Sequence, residues 1–113
     1  MNFNTILGYK VREEKLSQLT NKYRLNTNLG ILFSVERFIQ RSGFPISRFA
    51  LIRQEDMEEG DENYFILTLY NGPKKKEEVD VKKILNKFPP RFFELLRRDL
   101  DVQGEPQFYL AEP

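Results

Sequence analysis

Apolar residues recur along this chain at two spacings. Over VREEKLSQLTNKYR (11–24), Val11, Lys15, Leu16, Leu19 and Tyr23 share a stripe at intervals of three and four, which predicts a helix. Arg24-Leu25-Asn26-Thr27-Asn28 reads as a turn, with Thr27 or Asn28 as the N-cap of the next element. LGILFSVERFIQRSG (29–43) predicts a second helix. Its apolar face holds Leu32, Val35, Phe38 and Ile39, with Ile31 and Phe33 widening it. Arg37 and Arg41 stand one turn apart on the opposite side. Gly43 and Pro45 supply the stop.

The period then drops to two. ISRFALIRQ (46–54) and NYFILTLYN (63–71) predict a hairpin. Phe49, Leu51, Phe65, Leu67 and Leu69 would face the helices. Arg48, Ile52, Tyr64, Thr68 and Tyr70 would face outward. Asn71-Gly72-Pro73 ends the second strand. Helical spacing returns over VDVKKILNKF (79–88), is broken by Pro89-Pro90, and resumes over RFFELLRRDL (91–100) with Pro90 in the first turn. Gln107–Leu110 predicts a short third strand. Residues 1–9 read only as an extension or first turn. The expected fold is a single α+β domain over 1–113 in the order α-α-β-β-α-α-β. Its helices pack on one face of a short antiparallel sheet.

At 113 residues the chain is the size of one domain. It contains no Cys, His or Trp. That excludes disulfides, thiolate nucleophiles, zinc–thiolate sites and every Ser–His or Cys–His mechanism within the chain. Carboxylate or Mg²⁺-dependent chemistry stays open in principle. No phosphate-binding glycine loop is present, and no strand carries an acid-x-Lys nuclease triplet. No catalytic, cofactor-binding or metal-ligating residue is therefore assigned. MNFNTILGYK has neither a basic lead nor a long apolar run, and no stretch approaches 18 apolar residues. The expectation is a whole, cytoplasmic protein with no membrane partner.

Charge changes the picture more than composition does. The formal net charge is +1, yet residues 1–54 carry a balance of +6. Residues 55–62, EDMEEGDE, then hold six acids and no base. Such an octapeptide is a solvated loop, a lure for a basic partner, or a cover over the protein's own basic face. As a calcium loop it fails, since its Gly and closing Glu are out of register.

Two nucleic-acid arrangements are partly matched by this pattern. Two helices followed by a hairpin resemble a winged helix in layout. But the second helix begins with the apolar run Leu29-Gly30-Ile31-Leu32-Phe33, and phosphates would be repelled by an acidic wing tip. The outward sheet face, with Arg48, Tyr64 and Tyr70, could stack single-stranded bases. The lysines and arginines from Lys74 to Arg98 are interleaved with acids, as on solvated helices.

Ten Phe and five Tyr exceed what a small core needs. Phe38, Phe44, Phe88, Phe92, Phe93 and Tyr109 are therefore candidates for exposed anchors. The leading expectation is a non-enzymatic adaptor or regulator acting through protein contacts. Self-association would use aromatic surface or the last strand's edge. Its contact residues would be Arg37, Arg41, Arg48, Glu58, Glu59, Asp61, Tyr64 and Tyr70. The alternative is a nucleic-acid-binding regulator using the basic first half.

Overall fold

The structure is a computed structural model and describes residues 3–45 and 48–111. The expected hairpin start at Ile46 and Ser47 lies outside the described residues. Eight principal elements follow in the order β-α-α-β-β-α-α-β. Strand β1 (Asn4–Arg12) leads into helices α1 (Glu13–Lys22) and α2 (Ile31–Arg41). Strands β2 (Arg48–Leu51) and β3 (Tyr64–Gly72) follow. Helices α3 (Val81–Leu85) and α4 (Pro90–Leu100) and strand β4 (Gln107–Ala111) complete the fold. The α+β class and the β2–β3 hairpin are as the periodicity predicts.

Residues 4–9 differ from expectation. They are not an extension, because β1 is an inner strand of a four-stranded antiparallel sheet with order β2-β3-β1-β4. Val11, read as the first residue of a helical stripe, belongs to this strand instead, opposite Phe65. β1 is flanked by β3 over Thr5–Arg12 and by β4 over Asn4–Gly8, so its backbone groups find partners on both sides. Glu13 and Glu14 then open α1, where acids favour the positive end of the helix. With β3 inside a sheet, the hairpin is not a free wing, and the winged-helix layout does not hold.

One break in register shapes the sheet. The pairing of β1 with β3 shifts between Leu7 and Gly8, leaving Leu69 of β3 without an opposite residue. A Cβ on Gly8 would lie 2.4 Å from the Leu67 carbonyl oxygen, so only glycine permits the approach. The bulge turns Tyr70 inward, where it packs with Leu69 against the main core. The expected outward Tyr70 is thus corrected.

All four helices lie on one side. Leu7, Tyr9, Val11 and Leu67 of the sheet meet Leu16, Leu19, Val35 and Ile39 of α1 and α2. The same core takes in Ile84, Phe92, Leu95 and Leu96 of α3 and α4. Phe92 is fully buried and touches three other rings. Phe88 lies 4.6 Å away, Phe44 5.3 Å and Phe93 5.5 Å between centroids. Phe44, Phe88, Phe92 and Tyr109 are buried, and Phe38 and Phe93 are half-buried, so these six are core residues rather than free anchors. On the outer side a smaller cluster joins Ile6, Ile52, Ile66 and Tyr109. Leu51 departs from its expected core position. It ends the short edge strand at 74% exposure.

The two sheet edges are treated differently. On β2, the amide of Phe49 donates to the Glu36 carboxylate of α2 at 2.7 Å. A buried-side donor that would otherwise invite another strand is thereby occupied. β4 ends the sheet on the other side, with Leu110 half exposed. Phe92→Ala is expected to lower stability by about 3–5 kcal/mol. Leu51→Ala should shift it by no more than about 0.5 kcal/mol. Urea unfolding of the two variants checks both values.

Candidate functional site

The most distinctive surface is the outer side of α2 with the loop before it. That loop is set by local hydrogen bonds. After α1, Arg24 takes a left-handed φ of 52°. The amide of Leu25 donates to the Thr20 carbonyl and that of Arg24 to Asn21, a closing pattern that ends helices. The Asn28 amide then donates to Asn26 Oδ1 at 2.9 Å. Gly30, at φ 103°, is the residue from which α2 starts, rather than Thr27 or Asn28. Ser34 Oγ donates to the Asn26 carbonyl at 2.6 Å and lies 2.8 Å from that of Gly30. The loop is therefore tied to the first turn of α2, with Leu29 held outward.

The result is a groove of about 250 Å³. Leu25, Ser34 and Phe38 form its floor, and Leu29 and Phe33 its apolar rim. Leu29 is 75% exposed and Phe33 40%. Arg37 and Arg41 line the same groove and continue along α2 into a shallower depression shared with Gln40. The Arg37 guanidinium stands 5.6 Å from the Phe33 ring centre. Positions 33, 37 and 41 fall four apart on α2 and make one ridge, and Leu29 of the preceding turn lines the same groove. Among the described residues no carboxylate lines the groove, and none lies within 4 Å of Arg37 or Arg41. The surface joins apolar area to uncompensated positive charge.

The acidic connection sits on the other side of the sheet. It forms two single 3₁₀ turns, Gln54–Asp56 and Asp61–Asn63, with Gly60 in the left-handed region at φ 90°. Asp61 is buried. Its Oδ1 meets Lys10 Nζ at 3.1 Å, and its Oδ2 accepts the Glu58 amide at 2.9 Å. Glu55 pairs with Arg53 at 3.2 Å. Lys10 also stands 6.0 Å from the Tyr64 ring centre. Burial raises the Tyr109 hydroxyl pKa; Lys10 opposes the shift, and Asp61, Asp56 and Glu58 add to it. The loop is thus folded over cations of its own chain by Asp61 and Glu55. Glu58, Glu59 and Glu62 are left exposed, and Met57 is 40% exposed among them.

The predicted contact residues divide by face. Arg37 and Arg41 share the α2 groove. Arg48 lies on β2 opposite Thr68, and Tyr64 is half-buried beside Lys10, both on the outer side. Tyr70 faces the helices. Asp61 is the loop's anchor, while Glu58 and Glu59 are free at its tip. Leu29, Phe33 and Met57 were not singled out from the sequence. Phe33, expected to widen the apolar face of the helix, is exposed instead and shares its side of α2 with Arg37.

Among the described residues the other buried acid is Asp99 of α4. Lys22 Nζ and Tyr23 Oη each reach it at 2.6 Å, and Arg98 does so at 3.2 Å. The cluster fastens the end of α1 to α4, and every strong acceptor in it is engaged. No group of three or more acidic side chains among the described residues could hold a metal ion. No helix among them is long and apolar enough to cross a membrane. No family model, curated protein or solved structure matches the chain.

Both buried acids are held below the ordinary carboxylate value of 3.8. For Asp61 the Glu58 amide is the main cause, with Lys10 adding and burial opposing. For Asp99 burial opposes the charge, but hydrogen bonds from Arg98, Lys22 and Tyr23 outweigh it. The folded chain keeps these groups ionised where the unfolded chain binds protons. Their stabilisation is present above the unfolded value and is lost as pH falls through the lower, folded values. Asp99→Asn and Asp61→Asn should each reduce stability at neutral pH and flatten its decline below about pH 4. Urea unfolding across a pH series measures both effects.

Proposed function

We propose that this protein is a non-enzymatic adaptor or regulator that holds an acidic protein segment in the α2 groove. The observation that carries the reading is the exposed apolar pair Leu29 and Phe33 lining one groove with unpaired Arg37 and Arg41. Covering a large apolar side chain is worth about 1.5–3 kcal/mol. Aromatic and arginine residues together are frequent energetic centres of interfaces. The charge selects the partner. A segment with one bulky apolar residue flanked by carboxylates satisfies both halves of the groove, and a basic segment is repelled.

A non-enzymatic role fits the acids. Asp61 and Asp99 are each fully engaged in holding the fold together. The nucleic-acid alternative has less support. Its cations are divided between opposite faces of the sheet, Tyr70 is turned inward, and the outer face carries the loop's carboxylates.

Fluorescence anisotropy tests the reading with two labelled ten-residue peptides. Each has a central Phe, flanked in one by Glu and in the other by Lys. The acidic peptide should bind with a micromolar Kd and the basic one should not. Phe33→Ala and the pair Arg37→Glu/Arg41→Glu should each weaken binding at least about tenfold, or 1.4 kcal/mol. Equal binding of both peptides, or of neither, would overturn the reading. Labelled single-stranded DNA at about 50 and 200 mM salt provides the contrast, and salt-steep binding there would favour the alternative.

A further inference from the structure

We infer that the segment this groove takes is the acidic loop of a second copy of the same chain, so that the protein assembles head to tail. The inference rests on the groove reading above and names its occupant. The loop has the required chemistry in one place. Met57 is exposed in extended backbone, and Glu58 and Glu59 follow it at the surface. Methionine is unbranched and adapts to aromatic surfaces, and Phe33 offers an exposed ring. Arg37 and Arg41 stand ready for the two carboxylates. Four residues along a helix are about 6 Å, within the span of neighbouring glutamates.

The pairing must be between chains. The groove belongs to the helical side of the sheet, where Val35 and Ile39 root α2 in the main core. The loop is pinned on the other side through Asp61 and Lys10. Groove and loop are different surfaces, so the contact is heterologous, and each added copy leaves one of each free. Such a contact closes into a ring or grows as a filament. Its attraction is largely between exposed charges, so salt weakens it.

Sedimentation velocity tests this on the intact chain. Average mass should rise with concentration at about 20 mM salt and return to monomer near 500 mM. A groove variant, Phe33→Ala/Arg37→Ala/Arg41→Ala, and a loop variant, Met57→Ser/Glu58→Ala/Glu59→Ala, should each stay monomeric. Every replaced side chain is at the surface, and thermal unfolding confirms that both variants fold. Mixed together, they retain one good groove and one good loop. They should form a 1:1 dimer that grows no further. A wild-type chain that stays monomeric at low salt would overturn the inference. Association that survives both sets of substitutions would also overturn it, placing the contact elsewhere, such as the open β4 edge. In the first case, binding of the acidic peptide would leave the groove reading standing, and absence of binding would remove both.

Discussion

Every layer of this structure is hung on β1. It is hydrogen-bonded to β3 on one side and β4 on the other, and both of its faces are covered. Leu7, Tyr9 and Val11 meet the helices, while Ile6 meets the smaller cluster beneath Tyr109. The close contact at Gly8 lets β1 and β3 stay paired through their shift in register. With β1 in place, α1 follows directly from its end, and the position of α2 is set by the short connection. The edges β2 and β4 are secondary to that arrangement.

The same constraint explains what could be read from the residues and what could not. β3 could be read because Tyr64 and Thr68 put polar atoms on one face, between Phe65, Leu67 and Leu69 of the other, although Ile66 and Leu67 are equally buried. β1 could not, since Thr5 through Tyr9 are buried without interruption. A strand covered on both faces loses its period of two. Val11 then falls by chance in step with Leu16 and Leu19, and the helical reading takes it over. The inward turn of Tyr70 was equally hidden, because a bulge arises from pairing with a strand sixty residues away. α2 and α4 were legible because spacing, the stop at Gly43 and the two prolines all agreed.

The candidate site was legible in part. Arg37 and Arg41 stood out by their spacing and sign. Leu29 and Phe33 did not, because an apolar residue carries no mark of which way it faces. Only the loop tied down by Asn26, Gly30 and Ser34 shows that these two are left outside. In the acidic octapeptide, sign alone could not separate anchors from free charges. The fold does so, giving Asp61 and Glu55 to the protein's own cations and leaving the tip open.

The pairing of β1 with β4 has a consequence for the order of events during synthesis. Asn4 lies opposite Ala111, so β1, the earliest of these four strands, waits for β4, which is made about a hundred residues later. Until then β1 has a neighbour on one side only and is itself an edge, and Ile6, Leu7 and Tyr9, buried in the finished fold, lie along it. Contacts between distant parts of a chain form slowly, since a long loop must close before they return anything. The nascent chain therefore passes through a period in which an inner strand of the finished sheet is an open, adhesive edge, and it is β4, the strand that follows the other three in the chain, that covers it.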